Sequence, residues 1–480
     1  MNNSKNVFFR DTFWYLLGMI IPMGINVIKT PIFTRHYSAE DYGYLGLVMG
    51  IFLYISTVSY SWLSSCIWRF YNSFERKKIL NKFYSNLLFL YLISSVVMLL
   101  CSLMFIAFYH SPSLVYKLII LSFFHFVLKE LLGLFYVILR IKGYAKLNNI
   151  LLITQVVFSF IVLLFSAFIL DFDITSLISS SIIIDLIFVV GIVIYLIYHK
   201  KIQSLNLNLV RMRYLKIFLN FGSFVLISSI ITLLLVSSDR YILAMYDNMR
   251  NVGIYTKVYD IAQISITAFV FVFFSVINPK MNKELSHNIN EADNLLQKYL
   301  FGYIFTLLPI TFLISIFSKE ISEILLGEEF RNGYIIMPYV FFSAFIYGII
   351  TINQNKLKFR NKLKTIVQIL IICLIINVIL NFLVVPTYGY IGAAITTLIS
   401  YVVMLCLFFY KESIGFFKQK KYIKSIAEQL IVLILMFGID QVFRRIIDFN
   451  IWIAILEGIV FVVLIGLIFR KKYQSLDMPI

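Results

Sequence analysis

Few charged side chains interrupt the long apolar runs of this 480-residue chain, and these are the residues that could do chemistry. Lys29 lies near the end of the first run, and Lys129 and Glu130 lie near the middle of the fourth. Asp185 lies within the sixth. Charges at bilayer depth are costly and usually face a cavity or a partner. We therefore interpret the two lysines as candidate cations for an anionic substrate, and the two carboxylates as candidate sites for a coupling ion.

Each of these residues also has a structural interpretation. Lys29 could extend its ammonium group to the outer headgroups, although about five residues separate it from the helix end, which favours the role as a substrate cation. Lys129 and Glu130 point about 100° apart on a helix, so each could face a different neighbour, and they could also serve as structural charges. Asp185 has a short side chain and needs a cation, a proton or water. An ion pair with Lys129 would neutralise the Asp185 carboxylate as well as the proton or cation of a relay would.

A second polar stretch runs from Ser237 to Ala262. We predict that a helix ends at Val236 and that Asp239 and Arg240 follow it in a short polar turn. The next helix then carries a polar and aromatic stripe at i, i+4 and i+8, with two charges beside it: Tyr255, Tyr259, Gln263, Lys257 and Asp260. Arg240 and Lys257 are candidate substrate cations, and Asp260 is a further coupling candidate. Packing of the stripe and a helix-end pair of Asp239 and Arg240 are the structural alternatives.

Arg69 and Arg140 complete the candidate cations, although both lie at ends of apolar runs. At those positions they serve as topology signals. Contact with a substrate phosphate is the alternative that we keep open.

The composition requires that these residues lie in a membrane. The chain is 61% hydrophobic and only 14% charged, whereas an ordinary soluble chain is about one-quarter charged. A transmembrane helix needs about 20 mostly apolar residues. Fourteen runs qualify: 12–34, 44–64, 83–109, 114–139, 147–170, 175–198, 217–236, 252–276, 299–317, 334–352, 366–384, 391–410, 426–442 and 451–469. We predict an all-α polytopic membrane protein with about 14 transmembrane helices.

The net charge of +18 follows the loops rather than any nucleic-acid-binding patch. Of the 42 Lys and Arg residues, 31 fall in one set of alternate loops, nine in the other, and two inside the runs. Cytoplasmic loops of membrane proteins carry such an excess. The alternation predicts that both termini are cytoplasmic, and it excludes nucleic acid as a partner.

An internal duplication is indicated by two stretches with the same plan. In each, an apolar run is followed by charges and then by a Gly-Tyr or Gly-Ile-Tyr that opens the next run, at Gly43 and at Gly253. Six helices per half would give two lobes in a parallel repeat about the membrane normal. We expect an N-terminal lobe at 1–200, a C-terminal lobe at 201–422, and two additional helices with a short cytoplasmic tail at 423–480.

The sequence lacks the patterns of the common enzymes that could work at a membrane. There is no GxxxxGK[ST] phosphate-binding loop, no HExxH and no GxSxG, and no loop is long enough for a catalytic domain. The cysteines show no metal-like or disulfide-like spacing. We expect no catalytic residues, no metal, no cofactor and no enzymatic activity. A membrane polymerase or ligase would need a long outer loop, which is missing, so a transporter is the default.

Several motifs together resemble those of bacterial polysaccharide biosynthesis membrane proteins. The most specific is Asn377-x-x-x-Asn381-x-x-x-x-Pro386, followed by Gly389-x-x-Gly392-Ala-Ala. The others are TRHYSAEDYGYLGL, LRIKGYAKLNN, SSDRYIL, VGIYTKVYDIA and ILLGEEF. The chain therefore resembles flippases of O-antigen or capsule repeat units, within the multidrug/oligosaccharidyl-lipid/polysaccharide exporter superfamily.

The resemblance implies a two-lobed transporter with a cationic central cavity. Its substrate would be an undecaprenyl-diphosphate-linked oligosaccharide, moved from the inner to the outer leaflet, with H⁺ or Na⁺ as coupling ion. Membrane lipids, a polysaccharide polymerase and a chain-length regulator would be its partners. The alternatives are a peptidoglycan-precursor (lipid II) flippase, whose first helix usually carries more arginine, and a multidrug cation antiporter, which needs an acidic lumen.

Overall fold

The computed structural model describes residues 2–108, 112–198, 206–287, 292–360, 362–411, 416, 419–446 and 451–474. Their secondary structure is helical, and two short 3₁₀ turns supplement the α-helices. The basic loop expected after Tyr198 lies largely outside these ranges, at 199–205. The α-helices are α1 (Asn2–Thr34), α2 (Ala39–Arg76), α3 (Leu80–Phe108), α4 (Ser113–Ile141), α5 (Ala145–Phe168), α6 (Ser176–Tyr198), α7 (Met212–Tyr246), α8 (Met249–His287), α9 (Ala292–Ile316), α10 (Ser318–Leu325), α11 (Glu328–Arg331), α12 (Met337–Phe359), α13 (Leu363–Lys411), α14 (Lys420–Ile446) and α15 (Ile451–Gln474).

Thirteen helical segments among the described residues are long and apolar enough to cross a membrane. One of them, α13, has 49 residues, which at 1.5 Å per residue gives about 74 Å. That length is more than twice the ~30 Å hydrocarbon core. Gly389 divides α13 into two arms, because its backbone has φ 54° and ψ −138°. Counting both arms, the described helices confirm the predicted fold of about fourteen transmembrane segments.

The polar turn predicted after Val236 is wrong. Helix α7 continues without a break to Tyr246, and α8 begins at Met249. Asp239 and Arg240 are therefore inside a helix. The helix tolerates these charges because both side chains find partners on neighbouring helices, as the site geometry below describes.

The chain separates into two compact units, Met1–Ser237 and Ser238–Ile480. The expected lobe limits at 1–200, 201–422 and 423–480 remain a prediction. In the first unit α2 packs on α3 and α4, α4 packs on α6, and α5 packs on both α1 and α6. A cluster of buried apolar side chains joins α2, α3 and α4 to the first turns of α7, where Phe218 is fully buried.

Close approach of α1 and α5 depends on Gly18. A Cβ atom at this position would lie 2.0 Å from Oδ1 of Asn149 on α5, far inside van der Waals contact. The missing side chain therefore lets the backbone of α1 lie against α5, as small residues do at helix contacts in membranes. This contact fixes the position of the helix that carries Lys29.

The second unit has its own apolar core. Helix α12 packs on α8, α9 and α13, and α14 and α15 pack on α9. Tyr303 on α9 is fully buried and donates a hydrogen bond to the backbone oxygen of Phe345 on α12 at 3.0 Å. The outer faces of the last two helices are apolar, with Leu456 64% exposed on α15. Lipid would cover such a surface.

Candidate functional site

A polar chain in the first unit links three helices around Asp185. This carboxylate is 2% exposed. Its Oδ1 accepts a hydrogen bond of 2.5 Å from Nε2 of Gln155 on α5. The hydroxyl of Tyr136 on α4 in turn donates to Oε1 of Gln155 at 2.7 Å. The chain from α4 through α5 to α6 satisfies a carboxylate that would be very costly if buried alone.

His125 lies beside the second oxygen of Asp185. Its Nδ1 is 3.7 Å from Oδ2 of Asp185, and its side chain is only 12% exposed. This Nδ1 is buried without a hydrogen-bond partner. The separation is longer than a hydrogen bond, so a small rotation or one water would connect the two groups. An imidazole next to a carboxylate can exchange a proton with it.

The two candidate lysines of the first unit belong to the same neighbourhood. Lys29 on α1 and Lys129 on α4 both interact electrostatically with the His125 ring. Lys129 also interacts electrostatically with Asp185 and with Glu130. Lys29 is half-buried and Lys129 is exposed. The structure therefore places Lys29, Lys129 and Asp185 around His125, whereas Glu130 adjoins this group only through its sequence neighbour Lys129.

Lys129 and Glu130 turn to different surroundings, as expected for neighbours on a helix. Oε1 of Glu130 accepts a hydrogen bond of 2.8 Å from the hydroxyl of Ser56 on α2. The Lys129 ammonium lies over the ring of Phe126, 5.4 Å from its centroid. Among the described residues Lys129 forms no ion pair, so its charge is not matched by a carboxylate in contact.

The second unit holds a separate cluster around Asp239 and Arg240 of α7. Asp239 is 2% exposed and accepts hydrogen bonds from the hydroxyls of Tyr255 and Thr397, the latter at 3.2 Å. Nη2 of Arg240 donates to Oδ1 of Asp260 at 2.8 Å. The Arg240 guanidinium also lies 5.5 Å from the centre of the Tyr259 ring. These contacts tie α7 to α8 and to α13.

Two residues of the predicted stripe on α8, Tyr255 and Tyr259, belong to this cluster. Tyr255 and Tyr259 are buried, with ring centroids 5.6 Å apart, whereas Gln263 is half-buried. Lys257 is half-buried and interacts electrostatically with Asp260 and Arg240. The placement of the two tyrosines supports packing as their role.

The asparagine motif in α13 forms a buried network. Nδ2 of Asn381 donates to Oδ1 of Asn377 at 3.1 Å, and Thr396 donates to Oδ1 of Asn381 at 2.5 Å. Ser238 of α7 donates to Oδ1 of Asn377 at 3.3 Å, and Nδ2 of Asn377 donates to Ser400 at 3.1 Å. The motif therefore connects α7 to both arms of α13, which explains its spacing on one helix face.

Arg69 and Arg140 lie outside both clusters. Both are exposed, Arg69 in the last turns of α2 and Arg140 in the last turn of α4. Sequence reasoning missed three members of the first cluster. Gln155 could have been identified as a polar residue in the middle of an apolar run, and His125 shares a face with Lys129 at i+4. Tyr136 carries no distinguishing signal.

The helical architecture and its apolar membrane-spanning segments define a polytopic membrane protein. Residues 8–284 match the model of the polysaccharide biosynthesis protein family, and the chain belongs to that family. This confirms the resemblance seen in the motifs. The probable low-salt glycan biosynthesis flippase Agl15 of Haloferax volcanii is 22% identical over 258 residues. That match covers 54% of this chain, and the chain spans about half (54%) of the length of that curated relative.

Solved transporters share the fold. A lipid II flippase MurJ, in an inward closed conformation, gives a TM-score of 0.62 at 17% identity, covering 97% of this chain and 100% of that one. An inward-facing multidrug resistance MATE family transporter gives the same TM-score at 14% identity, covering 86% and 99%. These proteins are flippases and transporters, in agreement with the expectation that the chain is not an enzyme.

Proposed function

We propose that this protein is a flippase for undecaprenyl-diphosphate-linked oligosaccharide repeat units, of an O-antigen or of a capsular or other exported polysaccharide. It would move the head group from the inner to the outer leaflet of the cytoplasmic membrane while the polyprenyl tail stays in lipid. Membership of the polysaccharide biosynthesis protein family supports this proposal. So does the flippase relative, whose name describes glycan biosynthesis.

Lys129 is the observation that carries the proposal. It lies in the middle of a transmembrane helix, is exposed, and forms no ion pair within the described part of the chain. An unmatched ammonium group at this depth is a ready partner for a diphosphate, since charge-assisted contacts to phosphate are strong in a poorly solvated site. Lys29 adds a second positive charge to the same neighbourhood.

A multidrug cation antiporter fits these charges less well, because the exposed charge is the Lys129 ammonium, which would repel a cationic drug, whereas Asp185 and Glu130 are held by hydrogen bonds to Gln155 and Ser56. In the second cluster, Arg240 is already bound to Asp260. The lipid II alternative retains support, because the fold match to MurJ extends over 97% of this chain and so includes the last two helices. Lipid II also carries a diphosphate, so Lys129 would serve either head group.

Transport would proceed by alternating access, with both termini in the cytoplasm. H⁺ or Na⁺ would supply the driving force, with Asp185 as the first coupling candidate and Glu130 and Asp260 as the others. The His125 imidazole beside Asp185 supports a proton as the coupling ion. A polysaccharide polymerase and a chain-length regulator are the protein partners that we propose.

The proposal is tested by substitution of Lys129 in proteoliposomes that contain a fluorescent undecaprenyl-diphosphate oligosaccharide. We expect Lys129→Ala to lower the flipping rate at least about tenfold, which corresponds to about 1.4 kcal/mol of lost binding or barrier lowering. Lys129→Arg should keep most activity. Lys117→Ala is the matched control, because Lys117 is on the same helix, is 62% exposed, and pairs with Asp173 at 3.4 Å.

Equal rates for wild type and Lys129→Ala, at equal protein level, would refute the role of Lys129. A protein that flips only the peptide-bearing diphosphate lipid is a lipid II flippase. Flipping of neither lipid, together with gradient-driven movement of a cationic dye, would replace the flippase proposal with the antiporter.

A further inference from the structure

A third buried charge cluster lies where the ends of α9 and α14 meet α10 and α15. Its centre is Arg444, in the last turn of α14. Nε of Arg444 donates to both carboxylate oxygens of Asp440 at 2.8 Å. Its Nη1 and Nη2 donate to the two oxygens of Glu320 on α10, at 2.6 and 3.3 Å. Nη2 also lies 3.5 Å from the backbone oxygen of Ile316, at the end of α9.

Two carboxylates therefore already share the one guanidinium. Asp440 is 1% exposed and Glu320 is 7% exposed, so neither relies on bulk water. Each carboxylate accepts charge-assisted hydrogen bonds from the guanidinium. Two carboxylates and one guanidinium give the trio of Arg444, Asp440 and Glu320 a net charge of −1.

Glu457 of α15 adds a third carboxyl group to this cluster. It is 7% exposed, and both of its carboxylate oxygens are buried without a hydrogen-bond partner. It interacts electrostatically with Asp440, Arg444 and Glu320. These are the charged groups that reach it from α14 and α10 in the described part of the chain. The ring of Phe317 lies beside the next residue, Gly458.

An ionised Glu457 would raise the charge of the buried cluster to −2 with no donor to stabilise it. A buried charge without a partner is so costly that such a group is neutralised instead. A metal cation could neutralise it, but the described residues contain no group of three or more His, Cys, Asp or Glu arranged to hold a metal ion. A proton binds to a single carboxylate and needs no such group of ligands.

We infer that Glu457 is a proton-binding site that holds its proton in the folded protein at neutral pH. Loss of this proton would place a second uncompensated negative charge between α15 and the α10–α14 contact. That charge would weaken the packing of the last two helices on α9. Arg444 has a side chain 21% exposed, so the cluster reaches the surface and can exchange protons. This inference is independent of the proposed function, because it requires no substrate.

The experiment uses the purified full-length protein in nanodiscs. Infrared difference spectra of wild type minus Glu457→Gln at neutral pH should show the carbonyl band of a protonated carboxyl without hydrogen bonds. The band should disappear as the pH is raised. Glu328→Gln, which removes an exposed glutamate of the same unit, should leave the band in place.

Unfolding gives a second readout with a definite sign. A carboxyl that keeps its proton in the folded state but releases it at about pH 4.3 on unfolding makes the folded protein bind more protons. The measured quantity is the folded-to-unfolded ratio of wild type divided by the same ratio for Glu457→Gln. Above about pH 4.3 this quotient should fall by up to about tenfold for each pH unit. The fall should stop once Glu457 ionises in the folded protein.

Absence of the carboxyl band in wild type would overturn the inference. A wild type stabilised by NaCl over an equal concentration of choline chloride, with the effect lost in Glu457→Gln, would identify a sodium site instead. If Glu457→Gln does not fold, the pH titration of the band in wild type decides alone.

Discussion

Asp185→Asn keeps the shape of the side chain at the centre of the first cluster and removes its charge. The amide oxygen of the substituted side chain would still accept from Gln155, so the loss is the difference between a charge-assisted and a neutral hydrogen bond. These contribute about 1.5–3 and 0.5–1.5 kcal/mol, so the free energy of unfolding should fall by only about 1 kcal/mol. Asp185→Ala should cost more, because it leaves Nε2 of Gln155 buried without an acceptor.

The assay compares transport with and without an ion gradient in proteoliposomes. If Asp185 takes up the coupling proton, Asp185→Asn should abolish the acceleration by a pH gradient while the thermal unfolding temperature stays near that of wild type. If Asp185 only pairs with Lys129, each single neutralisation should harm stability and the double should restore it. We expect no such rescue, because the direct partners of Asp185 are Gln155 and His125.

Two results would refute this reasoning. Equal gradient dependence in wild type and Asp185→Asn would remove Asp185 from coupling and leave Glu130 as the candidate in the first unit. A double-mutant coupling energy that is larger for Asp185 with Lys129 than for Asp185 with Gln155 would contradict the geometry of the cluster.

Three further predictions concern topology and stability. Reporter fusions at residue 472 and in the 171–173 loop should report opposite sides of the membrane, and a same-side result would contradict the charge alternation. Arg444→Met should lower the free energy of unfolding by about 3–5 kcal/mol, measured by thermal or denaturant unfolding, because it strands two buried carboxylates; an unchanged stability would contradict the buried network. Gly389→Ala should destabilise by about 1–3 kcal/mol, since φ 54° with ψ −138° is a combination essentially restricted to glycine, and an added Cβ would lie 3.1 Å from Oδ2 of Asp247; a neutral result would show that the kink relaxes.

Hydropathy was enough to predict about fourteen membrane-spanning helical segments, because a span must be long and apolar whatever it packs against. It was not enough to place the end of α7. There the charges of Asp239 and Arg240 look like a turn, and only the partners Tyr255, Thr397 and Asp260 show that the helix can carry them. Tyr255 and Asp260 lie on the next helix, 16 and 20 residues away, and Thr397 lies 158 residues away, so the residues that flank the two charges do not reveal these contacts.

The same limit applies to the first cluster. Lys129, Glu130 and Asp185 stand out because charge is rare in an apolar run. His125 and Gln155 are less conspicuous, and they become part of the site only when α4, α5 and α6 pack together. A single sequence identifies the charged residues whose burial in the membrane is unfavourable. It does not show which neutral side chains stabilise them by hydrogen bonds.

The two units use the charges of their membrane-spanning helices differently, and this difference predicts which substitutions should affect transport and which should affect stability. In the second unit Arg240 is bound to Asp260 and Asp239 accepts from two hydroxyls, so these groups act as ties between helices. In the first unit Lys129 forms no ion pair among the described residues, and Nδ1 of His125 is buried without a hydrogen-bond partner, 3.7 Å from Oδ2 of Asp185. A group that is already satisfied gains little from a ligand, whereas an unmatched donor can bind one without first losing a contact. Arg240→Met should therefore lower the thermal unfolding temperature, while Lys129→Ala should leave it unchanged and slow transport; the reverse pattern would assign the substrate cation to the second unit.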